Sequence, residues 1–286
     1  MDHSQISRRA FLAASGGLVV ASALPEVAFA HEGEEHELGK QLGALVLSSD
    51  LYVSPDPQRV IFGLGSSKGY VSGPPVRVGF VSPEVAGRTD VTLEPTIFYK
   101  KGIPEGRGIY EATPVLDVAG VWNGFARVEK RDIEFAIQVN AAPLAPLPGH
   151  AASRAPSPTL ADSLDVKPIC TRQPRCDLHD ESLTDLIGSG VPVAVLFGTP
   201  ARCQSEYCGP VLDTMLSIRD RYPDTKFVHV EIYQNNRTTD LVPTVEAWGL
   251  PTEPWMFTVD ASGTIAGRLD GAFGQQEMIH LLDALT

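Results

Sequence analysis

The chain has 286 residues, 43% of them hydrophobic and 20% charged, so it can form two domains that each bury a core and is not disordered by composition. Lys and Arg total 23 against 35 for Asp and Glu, and the resulting formal charge of −12 repels phosphate backbones and argues against a nucleic-acid partner. Its 23 prolines and 26 glycines exclude a helical bundle, and its four cysteines all lie between positions 170 and 208.

The chain opens with Ser7-Arg8-Arg9-Ala10-Phe11-Leu12 and a weakly apolar run from Ala10 to Leu24. Pro25 breaks the run, and Ala28-Phe29-Ala30 supplies the small-x-small pattern that a signal peptidase cuts. Paired arginines ahead of such a segment resemble a twin-arginine export signal over residues 1–30. Export to a periplasmic or other extracytoplasmic compartment is therefore expected, where disulfides persist. No later segment is apolar enough for a membrane span in the mature chain. Residues 31–50 form an acidic lead-in that contains His31-Glu32-Gly33-Glu34-Glu35-His36-Glu37. Imidazoles and carboxylates are both metal ligands, but a solvated acidic tail explains the tract equally well.

From about Leu51 to Val139 short apolar runs alternate with turn signals, as in Arg59–Leu64, Val76–Val81 and Ile133–Val139. About seven such runs predict an antiparallel β-sandwich over residues 51–140. Gly108-Ile109-Tyr110-Glu111-Ala112 followed by Ala119-Gly120-Val121-Trp122 resembles the late strands of immunoglobulin-like domains of exported bacterial proteins. Tyr110 and Trp122 are read as core residues, and the sandwich as a binding or spacing module. Residues 141–168 carry Pro143, Pro146, Pro148, Pro156 and Pro158 among Ala and Ser, a composition expected to give a semi-rigid linker without a core of its own.

Residues 169–286 change grammar. A short helix is expected over Ser182–Ile187, a buried strand over Val191–Phe197, and a helix from the second cysteine of Cys203-Gln204-Ser205-Glu206-Tyr207-Cys208 to about Arg221. A strand over Lys226–Tyr233, a helix over Leu241–Trp248, a hairpin formed by Trp255–Val259 and Thr264–Arg268, and a helix over Gln275–Leu285 complete the order β-α-β-α-β-β-α. With a cysteine pair between an apolar strand and a helix, and with Glu253-Pro254-Trp255 opening a strand that ends in Asp260-Ala261-Ser262-Gly263, this half resembles the thioredoxin superfamily. The exported branch that includes the cytochrome-maturation thioredoxins is most similar. The resemblance implies an α/β domain, a cis-proline at Pro254, substrate contact by Glu253 and Pro254, and redox chemistry at Cys203 and Cys208. It implies no cofactor and no metal, and as partners exported or envelope proteins that bear thiols or disulfides.

The spacing departs from the family's Cys-x-x-Cys. Residues five apart in an ideal helix have Cα atoms about 8.6 Å apart, beyond the roughly 7 Å that a disulfide spans, so Cys203 must lie outside the helix when bonded to Cys208. A cysteine ahead of a helix N-terminus has its thiolate stabilised by free N–H groups, and Arg202 is expected to add positive charge. Cys203 is then the attacking sulfur and Cys208 the resolving one, although Leu196 stands where the family has a buried acid. Cys170 and Cys176 are expected to form a second, structural disulfide, and a four-cysteine zinc site is disfavoured by their spacing. His229 and His280 read as ordinary core or surface residues. Two other readings stay open. Thr199-Pro200-Ala201-Arg202-Cys203-x4-Cys208 is similar to a peroxiredoxin-type peroxidase segment, with one residue inserted. A redox-inert binding protein with structural disulfides is the other.

Overall fold

A computed structural model describes residues 42–85, 91–203 and 205–285. The export signal of residues 1–30 and the His/Glu tract lie outside the described residues. No helix among the described residues is long and apolar enough to cross a membrane.

The first half holds strands β1 (Gly43–Val46), β2 (Val60–Ser66), β3 (Gly69–Val71), β4 (Val76–Val81), β5 (Glu94–Pro95), β6 (Ile97–Tyr99), β7 (Ile109–Ala112), β8 (Gly120–Val128) and β9 (Arg131–Val139). They form two antiparallel sheets, β1-β2-β7-β6 with β3 added to β2, and β5-β4-β8-β9. Along β8 the side chains Trp122, Ala126 and Val128 face inward while Val121 and Arg127 face solvent, the period-two alternation of a sheet wet on one side. Phe62, Leu64 and Tyr110 of the first sheet meet Val76, Val78, Ala126 and Ile133 of the second in one core, which makes the pair a sandwich. Tyr110 is fully buried and Trp122 nearly so. The tyrosine hydroxyl donates to the Pro74 carbonyl at 3.1 Å, and the indole N–H donates to Val118 at 2.8 Å. Both anchor the core, as their sequence setting suggested.

The second half holds α1 (Leu183–Leu186), β10 (Val193–Phe197), α2 (Cys208–Ile218), β11 (Lys226–Val230), α3 (Pro243–Ala247), β12 (Trp255–Val259), β13 (Ile265–Asp270) and α4 (Gln275–Asp283). The sheet order is β11-β10-β12-β13, with β10 parallel to β11 and antiparallel to β12. Strand β10 is buried throughout because both faces of the sheet are covered. Val193, Val195 and Phe197 join Leu183, Val245 and Trp248 on the face of α1 and α3, whereas Ala194 and Leu196 join Val211, Met215, Met278 and Leu282 of α2 and α4. Strand β10 is an inner strand whose last residue, Phe197, pairs with Trp255 at the start of β12, and the cysteine loop joins this end of β10 to α2.

Residues 141–168 differ from the expected spacer. Ala145, Ala152 and Val166 enter the core of the second half, and the strap bonds to it along its length. Gly149 N–H donates to Ile265 O at 2.8 Å, Ala152 N–H to Gly263 O at 2.9 Å, and Lys167 N–H to Gln234 O at 2.8 Å. Prolines remove donors, so the fewer remaining amides are readily satisfied against the β13 edge, and small apolar residues can then pack without a helix or strand.

The two halves share an interface. Asp50 accepts N–H bonds from Leu144 at 2.9 Å and Ala145 at 3.1 Å, and pairs with Arg268 at 2.9 Å. Arg59 donates to Glu277 at 2.7 Å and to the Ala272 carbonyl at 2.5 Å. Gly271 adopts φ +66° at this seam and donates to Pro254 O at 3.0 Å, and a Cβ there would overlap the Leu47 carbonyl oxygen. Gly271→Ala should therefore cost at least about 2 kcal/mol, since backbone strain and steric overlap add. Chemical denaturation checks this, and Gly65→Ala, in open space on β2, is the control that should cost less.

Candidate functional site

Cys203 and Cys208 are bonded, with Cα atoms 5.8 Å apart. Cys208 is the first residue of α2, while Cys203 lies in the preceding loop, where the spacing argument requires it. Glu206, at φ +64°, turns the chain back between them. The Cys208 N–H, one of the unpaired donors of the first helical turn, points at Cys203 Sγ at 3.1 Å. Ser205 Oγ lies 3.3 Å from the same sulfur and donates to it, since a bonded sulfur carries no proton. Two donors thus converge on the place where negative charge would appear when the bond opens. Cys203 is half-buried and Cys208 fully buried, so Cys203 is the more accessible residue of the pair.

Pro254 opens β12 beside this pair, and the Glu253–Pro254 peptide is cis. Gly198 separates the two elements. A Cβ on Gly198 would lie 3.9 Å from Cys208 Sγ and 3.9 Å from Pro254 Cβ. The side chains of both Glu253 and Pro254 are buried, so neither is offered to a partner in the disulfide form. The sandwich covers part of the loop: Arg107 pairs with Glu206 and lies 3.9 Å over the Tyr70 ring, and Tyr207 packs with Ile61, Ile103 and Ile109. Arg202 does not serve the sulfur as expected. Its guanidinium donates to Asn235 O at 2.7 Å and Thr238 O at 2.6 Å and stacks 4.4 Å over Tyr233, which makes it a tether for the loop. Leu196, where the resembled family has its acid, is buried among apolar side chains.

The expected disulfide between Cys170 and Cys176 is not formed. Their sulfurs are 3.6 Å apart, whereas a disulfide needs about 2.05 Å. The reason is a second pair of residues that draws the sulfurs into another arrangement. Cys176 Sγ lies 3.2 Å from His179 Nε2 and 3.5 Å from His229 Nδ1, and Cys170 Sγ lies 3.7 Å from His229 Nδ1. The four ligand atoms lie within 4.8 Å of one another, and all four residues are buried. The Cys176 thiol, followed by His179 and His229, holds Cys170 well below the usual thiol range. Burial works against a charged His229, but the Cys170 sulfur and the Glu231 carboxylate outweigh it and raise its pKa. His229, read as an ordinary residue, is thus part of a cluster, and His179 was missed altogether. The Cys176-x-x-His179 spacing was the signal that could have found it.

The two constellations touch. His229 Nε2 donates to the Gly198 carbonyl at 3.0 Å, and Gly198 is the residue against Cys208. Thr171, next to Cys170, accepts the Ala201 N–H at 3.1 Å and donates its own N–H to Glu231 at 2.5 Å.

No family model matches the chain, and no curated protein matches it. Among solved structures, an engineered protein known from a crystal structure is matched at 17% identity and a TM-score of 0.22, over 36% of this chain and 19% of the other. The chain thus spans about a fifth of that protein's length, and the likeness carries no argument.

Proposed function

We propose that the chain is an exported thiol–disulfide oxidoreductase of the thioredoxin superfamily, in which Cys203 and Cys208 exchange electrons with thiols or disulfides of extracytoplasmic proteins. The immunoglobulin-like sandwich buttresses the redox loop. The observation that carries the reading is the Cys208 N–H aimed at Cys203 Sγ from the first turn of α2, with Cys203 half-buried and Cys208 fully buried. The strand order β11-β10-β12-β13 and the cis Pro254 beside the pair support it.

In the reducing direction the Cys203 thiolate attacks one sulfur of a substrate disulfide and expels the other as a thiolate, leaving a mixed disulfide. Cys208 then loses its proton to solvent or to the departing thiolate and attacks Cys203 Sγ. The second substrate sulfur leaves as a thiolate and the Cys203–Cys208 bond is restored. The substrate gains two electrons and the protein loses two. The oxidising direction is the reverse, starting from a substrate dithiol. A peroxidase would need a free cation beside the attacking sulfur, and Arg202 is committed to two carbonyls elsewhere.

Equilibration with reduced and oxidised glutathione tests the reading. The expected result is a reversible two-electron couple for this pair above about −300 mV. A pair that stays bonded throughout the glutathione range would instead mark a structural disulfide in an inert binding protein.

A further inference from the structure

We propose that Cys170, Cys176, His179 and His229 form a closed, tetrahedral zinc site. Zinc bound by thiolate at about 2.3 Å and by imidazole at about 2.05 Å, with tetrahedral angles, places sulfurs about 3.8 Å apart and sulfur and nitrogen about 3.6 Å apart. Four of the six edges of the cluster are 3.6 Å between its sulfurs and 3.2, 3.5 and 3.7 Å for three sulfur–nitrogen pairs, and all four ligand atoms lie within 4.8 Å of one another. Hydrogen-bonded thiols need no such convergence of four groups from two separate segments, residues 170–179 and strand β11.

The donor chemistry agrees with the geometry. Two thiolates and two neutral imidazoles around a divalent ion sum to zero charge, the state that complete burial favours. His229 donates its Nε2–H to the Gly198 carbonyl, which fixes the tautomer and leaves the Nδ1 lone pair facing the two sulfurs. With four protein ligands and all four residues buried, no position is open for substrate, so the ion is structural and not catalytic. Its place in the fold gives it a task. It pins the 170–179 hook against β11, and the hook holds the loop that precedes Cys203 through Thr171 and Ala201. Zinc also keeps Cys170 and Cys176 out of disulfide exchange with the neighbouring pair, since coordinated thiolates are shielded from oxidation.

The experiment uses the full chain purified in zinc-containing buffer without chelator. Metal analysis should give one zinc per chain, and denaturing mass measurement one disulfide with two free thiols. Replacement of zinc by cobalt(II) should give the intense visible bands of a tetrahedral ion and a thiolate-to-cobalt charge-transfer band. Cys176→Ser should weaken zinc binding more than about a hundredfold, beyond what loss of a supporting hydrogen bond does. His280→Ala, on the outer face of α4, should leave stoichiometry at one. If Cys176→Ser does not fold, the cobalt spectrum of the unaltered chain still decides. The proposal is overturned by a second disulfide in the purified chain, by an octahedral cobalt spectrum, by zinc held equally well in Cys176→Ser, or by uptake of copper(I) but not zinc. None of these readouts uses thiol–disulfide exchange, so failure here and failure of the redox reading are separable.

Discussion

Cys203→Ser should lower the rate of disulfide exchange by about a thousandfold or more, because it removes the sulfur of the half-buried residue and leaves only the fully buried Cys208. A serine hydroxyl keeps the hydrogen bonds of Ser205 and the Cys208 amide but cannot supply a thiolate at neutral pH. Cys208→Ser should behave differently. Cys203 then still attacks, but nothing resolves the adduct, so incubation with oxidised glutathione should leave one glutathione stably attached at Cys203. Peptide mapping by mass spectrometry reads both results. Equal labelling at either cysteine in the reciprocal variants would contradict the assignment, since Cys208 is fully buried at the start of α2.

The second large effect concerns the seam between the halves. Asp50→Ala should destabilise the protein by about 3–5 kcal/mol, because it leaves the charge of Arg268, a side chain 10% exposed, with the Ala145 and Pro146 carbonyls but without its carboxylate, and leaves the Leu144 and Ala145 amides without their acceptor. The ion pair is not itself a large net gain. Burial raises the pKa of Asp50 despite Arg268 and the two amides, so the folded state resists its ionisation. The cost in the variant comes from the charge left behind. The double variant Asp50→Ala, Arg268→Met should therefore recover much of the loss, which urea denaturation of the four species would show. A single-variant loss under about 1 kcal/mol would contradict this account.

Much of the architecture was legible in residue order. The unbroken apolar run ending at Phe197 requires a strand covered on both faces, and the helix geometry of a five-residue separation alone places Cys203 in a loop. The strap of residues 141–168 was less legible, because proline content reports the lack of donors and not whether the scattered Ala145, Ala152 and Val166 find a groove. Arg202 misled for a related reason: proximity in sequence to Cys203 did not reveal that its long side chain reaches carbonyls 33 and 36 residues away. The Cys/His cluster was not legible in the spacing of the four cysteines, because two of its members are histidines. Its fourth corner sits on β11, and only the folding back of the 170–179 hook brings His229 to the sulfurs.

On the proposed reading, the first turn of α2 keeps Cys203 ionised once its bond to Cys208 is opened. The pH dependence of alkylation at Cys203 in the reduced chain, followed at the peptide level, measures this directly. A half-maximal rate well below the ordinary thiol value of about 8.5 is the predicted result, with the midpoint rising when Ser205→Ala removes one of the two donors. A midpoint at or above about 8.5 would show that the helix does not activate this sulfur, and would leave the pair a structural clasp.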